Sequence, residues 1–133
     1  MPIVSTIPSV TYKLKTPDDI SEHSGYFTIV GEFEPEAFFL NSKEMSSQQW
    51  VTALMTSYTH LMRAGIPIED IIMLMKNAFS PTGSYFIPRV TEDDEVLKSL
   101  VGVEVNSIIH HLGLVLERHM EYIIQKHEEE EVK

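Results

Sequence analysis

Apolar and polar residues alternate along the first third of the chain, and the period then changes. Val10, Tyr12 and Leu14 interleave with Thr11, Lys13 and Lys15, the two-residue period of a strand with one buried face. Thr16-Pro17-Asp18-Asp19 ends that strand, because proline cannot continue a hydrogen-bonded ladder. Gly25 to Phe33 is aromatic and β-branched and predicts a second strand. Glu34-Pro35-Glu36 predicts a turn, and Ala37 to Asn41 a third strand. Short links between them predict an antiparallel meander. Residues 1–9 carry two prolines and no helical period, which predicts an extended arm.

Beyond residue 45 the spacing becomes helical. Ser46 and Gln49 match a capping box, in which the hydroxyl takes one orphan amide and the glutamine reaches back to another. Trp50, Val51, Leu54, Met55, Tyr58, Leu61 and Met62 then recur at helical spacing. Gly65 stands where a left-handed cap is needed, and Pro67 follows. A second helix is predicted from about Pro67 to Ala78, with Ile68, Ile71, Ile72 and Met75 on one face. Phe79 to Arg89 reads as a loop. The last helix places Val105, Ile108, Ile109, Leu112, Leu116, His119, Met120 and Ile123 on one stripe. It is allowed an earlier start near Asp94 with a break at Gly102. Glu128 to Glu131 lies where negative charge opposes the helix dipole, which predicts fraying. The fold expected is α+β: a three-stranded antiparallel sheet followed by three helices packed on one face. It forms a single domain over 10–127 with an acidic frayed tail over 128–133.

Composition narrows the function. Twenty acidic residues against ten basic ones give a net charge of −10 among 133 residues. Such a field repels nucleic-acid backbones and anionic membranes, so neither a nucleic acid polymer nor a membrane is an expected partner. A locally positive pocket for a small anion remains compatible with it. The absence of cysteine removes disulfides, thiolate nucleophiles and Cys-type zinc sites. Without a long apolar run or a signal-peptide pattern, a cytoplasmic location is expected.

The six histidines form no metal-binding spacing. His110 and His111 are adjacent and diverge by about 100° on a helix. They read as surface or interface groups, and His119 as a semi-buried helix residue. No Gly-rich phosphate loop and no Gly-x-Ser-x-Gly elbow is present. No metal, no cofactor and no catalytic residue is expected. Three features carry the remaining chemistry. Asn41-Ser42-Lys43 precedes a helix, where amides and an ammonium can hold an anion, or where a plain loop can carry a solvated lysine. Tyr85, Phe86 and Arg89 share a loop: the rings either stack on a base or pin the loop to the core, and the guanidinium can grip phosphate. The abundant methionines read as core filler or as an adaptable oligomer interface.

Several stretches together resemble one family. They are Thr11-Tyr12-Lys13-Leu14-Lys15-Thr16-Pro17, Ala37-Phe38-Phe39-Leu40-Asn41-Ser42-Lys43, Gln49-Trp50-Val51-Thr52-Ala53-Leu54, Ala78-Phe79-Ser80-Pro81-Thr82-Gly83-Ser84-Tyr85-Phe86 and Ile108 to Met120. In this order they are similar to the C-terminal accessory domain of adenosylcobalamin-dependent (class II) ribonucleotide reductases, the Thr-Ser-Cys-Pro-Asp-type domain. The similarity spans about residues 10–120. The reductase barrel, its radical cysteine and the family's C-terminal cysteines have no counterpart here. Arg89 replaces a glycine common in the family, and Thr91 to Glu95 is an acidic insertion. The resemblance therefore implies a detached accessory module without reductase activity, of a kind expected in bacterial and phage genomes.

Two functions follow as expectations. The first is a non-catalytic domain for a nucleotide-like ligand, with Lys43 and Arg89 on phosphate, Tyr85 or Phe86 stacking on the base and Asn41 on a polar ring edge. A phage-encoded sponge for a nucleotide immune signal of the cyclic oligonucleotide or cyclic ADP-ribose type would use such a domain. The second is an accessory protein-interaction subunit that docks on a ribonucleotide reductase chain. A homo-oligomer is expected on either reading, because the helices offer more apolar face than one side of a small sheet can cover.

Overall fold

The computed structural model describes residues 8–17, 25–32, 34–42, 48–78 and 84–132. Three strands, β1 (Ser9–Leu14), β2 (Gly25–Val30) and β3 (Ala37–Ser42), form an antiparallel sheet in the order β1-β2-β3. The alternation sorts the faces. Tyr12, Leu14, Phe27, Ile29, Phe38 and Leu40 are buried together. The Phe27 and Phe38 rings stack with centroids 6.2 Å apart. β2 stops at Val30 rather than Phe33, because Gly31 takes φ 126° and leads the chain into the turn. Any side chain there would drive into the Glu34 carbonyl, so only glycine fits.

Helix α1 (Gln48–Arg63) lies along the free edge of β3. The Phe38 N–H donates to Thr59 Oγ1 at 3.2 Å, and the Thr59 hydroxyl donates to the Met55 carbonyl at 2.9 Å. This contact covers a ladder edge that would otherwise invite pairing with another chain. The Gly65 cap is present: φ is 99°, Ile66 N–H bonds Leu61 O and Gly65 N–H bonds Met62 O, both at 3.1 Å. Within α1, Met55, Tyr58 and Thr59 are buried, whereas Trp50 and Leu61, predicted on the buried stripe, are exposed. Ser46 of the predicted capping pair lies outside the described residues. Helix α2 (Ile68–Lys76) buries Ile71, Ile72 and Met75, the expected face, with Ile68 half-buried.

The segment predicted as a loop carries more order. Strand β4 (Tyr85–Phe86) pairs antiparallel with β5 (Glu104–Val105), flanking the one-turn helix α3 (Glu95–Lys98). Asp94 caps α3, its Oδ1 accepting the Leu97 N–H at 3.0 Å. Among the described residues the helices therefore number four, α3 standing apart from the long one. Helix α4 (Ile108–Val132) begins after Val105, which belongs to β5. Ser107 caps it: its Oγ accepts the His110 N–H at 3.0 Å and donates to the Ala78 carbonyl at 2.7 Å. The helix runs on to Val132, past the point where fraying is predicted. From His111 to Leu116 every residue is buried. The α+β architecture expected from the sequence is present, and the middle of α4 is enclosed by it, with α2 packed against the helix and Tyr12 of β1 reaching His119. Gly113 permits this: a Cβ there would lie 2.8 Å from the Met75 Cβ and 3.2 Å from the Lys76 amide nitrogen.

Candidate functional site

The sheet has one face against the helices and one face away from them. Strand alternation places Thr11, Lys13, Tyr26, Thr28, Phe39 and Asn41 on the outer face. The register sets them in two rows. Lys13, Tyr26 and Asn41 are direct cross-strand partners, as are Thr11, Thr28 and Phe39. Tyr26 and Phe39 are therefore diagonal neighbours on adjacent strands, within reach of one flat ligand. They are 45% and 53% exposed, whereas the aromatic rings on the inner face are buried. The Thr11 and Thr28 hydroxyls share a hydrogen bond at 2.9 Å, which ties β1 to β2 beneath this platform.

Two lysines, Lys13 and Lys15, stand at the β1 edge. Lys13 pairs with Glu92 at 3.5 Å. The Glu92 carboxyl is held below its ordinary range by a backbone hydrogen bond and by that lysine. Lys15 continues the outward alternation. Ile87 and Val90 border a crevice with Lys13, Leu14 and Lys15, so the segment carrying Arg89 runs beside the end of β1. An aromatic platform with ammonium groups on one border and the Asn41 amide on the other can stack a planar ring, hold an anion and read a polar edge.

The sequence-predicted site residues separate. Asn41 is exposed on the outer sheet face. Lys43 lies outside the described residues. Tyr85 and Phe86 point to opposite sides of β4. Phe86 is 61% exposed, but Tyr85 is buried and its hydroxyl bonds His111 Nδ1 at 2.9 Å. Tyr85 is accordingly corrected from a stacking ring to a ring that pins its segment to α4. Arg89 is exposed. The hollow between α2 and α4, the crevice beside β1 and the hollow at Glu34, Glu36 and Arg63 include none of Asn41, Phe86 and Arg89.

Sequence reasoning missed Lys13, Tyr26 and Phe39 as site candidates, although their signal was present. Both rings stand at out-facing positions of strands whose in-facing positions are already aromatic or aliphatic. The histidines also differ from expectation. His111 and His119 are each 2% exposed, and His119 Nδ1 is 2.7 Å from the Tyr12 hydroxyl. Burial lowers the pKa of both, His111 to about 4. Each neutral imidazole shares a hydrogen bond with a tyrosine hydroxyl, and burial pushes the tyrosine pKa well above its ordinary value. These are structural pairs in the core. Among the described residues no three of His, Asp and Glu come together as metal ligands, and no helix is long and apolar enough to cross a membrane. Comparison with protein-family models, with curated proteins and with solved structures gives no match.

Proposed function

We infer that this chain is a non-catalytic domain that binds a nucleotide-like ligand on the open face of its sheet. One observation carries the reading: the in-register row Lys13–Tyr26–Asn41, with Phe39 diagonal to Tyr26. The rings stack on a base, the lysine meets phosphate, and the asparagine amide meets the polar ring edge. Arg89, on the segment beside β1, is a further phosphate contact. Base stacking on an aromatic side chain is worth about 1–3 kcal/mol per base. A flat platform covers only one side of a base, so tight sequestration calls for a second wall. A second copy of the chain would supply it, which supports a homo-oligomeric sponge for cyclic oligonucleotides or cyclic ADP-ribose.

The test is calorimetric titration and thermal melting with cyclic dinucleotides, cyclic ADP-ribose isomers and deoxynucleotides. Ligand at 100 times its dissociation constant stabilises by about 2.7 kcal/mol. Tyr26→Ala and Phe39→Ala are exposed changes that leave the ligand-free melting temperature nearly unchanged and abolish that shift. Light scattering with and without ligand reads the assembly. A flat titration for the whole panel overturns the reading.

A further inference from the structure

A concave surface lies between α2 and α4, lined by none of the sheet residues. The two antiparallel helices touch closely at Gly113 and then leave an apolar trench of about 520 Å³. Its floor is Ile72 and Met120, and its walls are Met73, 62% exposed, and Ile124, 55% exposed. Carboxylates dominate the rim. Glu69, Glu117 and Glu121 stand there with Lys76, which is itself bonded to Glu117 at 2.8 Å. Arg118 answers Glu121 from α4 at 3.2 Å. Beyond Ile124, α4 continues to Val132 and carries exposed Glu128 and Glu129, so the acidic wall extends past the trench.

We propose that this trench docks a basic amphipathic helix of a partner protein. The shape selects a helix. α2 has nine residues and is about 13.5 Å long, which matches apolar anchors at i, i+3 or i+4, and i+7 of an incoming helix. The charge selects a basic one. Flanking lysines or arginines on the partner would meet Glu69 and the exposed Glu128 and Glu129 of the α4 extension. A second copy is the poorer occupant, because both of its trench walls are acidic and the protein already carries −10. This surface is independent of the sheet face, and the proposal stands or falls apart from ligand binding there.

The probe is a 14-residue helical peptide with leucines at i, i+3, i+7 and i+10 and lysines on both flanks. Its controls are a scrambled peptide and one with glutamates in place of the lysines. Fluorescence anisotropy on the full chain is expected to give saturable binding of the basic helix. Binding should weaken at least tenfold in Met73→Glu/Ile124→Glu and severalfold between about 50 and 500 mM salt. Both substitutions are at exposed positions, and an unchanged far-ultraviolet dichroism spectrum checks the fold. Three results overturn the proposal: no saturable binding, equal binding of basic and acidic helices, or an oligomer that Met73→Glu/Ile124→Glu dissociates. The last would assign the trench to a second copy.

Discussion

At the scale of single residues, two tyrosine–histidine bonds decide how α4 sits. Tyr12 meets His119 with ring centroids 5.6 Å apart, and Tyr85 meets His111 at 5.9 Å, both edge-on. Both imidazoles are buried neutral, so the unfolded chain binds protons that the folded chain refuses. Stability is therefore full above about pH 6.5 and falls as pH drops toward the folded value of about 4 for His111. The His111 contribution to that loss is about 3 kcal/mol. Asp94 near His119 opposes the burial effect there and softens its share. Urea unfolding between pH 7 and 4.5 measures the slope, and His111→Gln should remove the larger part of it. Tyr85→Phe leaves the buried His111 nitrogen without its hydrogen-bond partner and should cost about 1–2 kcal/mol. The same variant should bind any sheet-face ligand as tightly as the wild type, whereas Tyr26→Ala should not. A loss of affinity in Tyr85→Phe would return that ring to the binding site.

Among the elements, α2 and α4 meet so closely at Gly113 that no side chain fits between them. Gly→Ala within a helix ordinarily stabilises by up to about 1 kcal/mol. At Gly113 the added carbon meets the Met75 Cβ at 2.8 Å and the α2 backbone at 3.2 Å. The clash wins, and Gly113→Ala should destabilise by about 1–3 kcal/mol, read as a lower melting temperature. The trench should widen with it, so docking of the basic helical peptide should change in the same variant. The Thr59 hydroxyl tests the covered sheet edge. Thr59→Val removes the acceptor of the Phe38 N–H and should cost about 1–2 kcal/mol, with faster aggregation as the edge of β3 opens. A Thr59→Ser variant keeps the acceptor and should behave close to the wild type.

On the scale of the whole molecule, a single core joins the inner face of the sheet to α1, α2 and the middle of α4. The end of α4 stands clear of it: residues 124–129 are exposed. Removing residues 128–133 should therefore leave the melting temperature within about 2 °C, while weakening any basic partner that uses the acidic extension. The alternation in β1 and β2, the hydrophobic face of α2 and the Gly65 cap were all legible along the chain, because each is a local matter of period or backbone angle. So was the net charge of −10. Other features needed residues far apart to meet. Tyr12 and His119 are separated by 107 positions, and Tyr85 and His111 by 26, so no local pattern could pair them. Residues 111–116 are all buried, whereas the helical period read along the chain placed only Leu112 and Leu116 of them on the inner stripe, so the burial of His111, Leu114 and Val115 depends on what packs around the helix. The two-residue strands β4 and β5 exist only because each completes the other's hydrogen bonds. The strands and the polarity of their faces were set by amino-acid order alone. Which face stayed open, and which stretch of helix became enclosed, was decided by packing, since burial is a property of neighbours rather than of sequence.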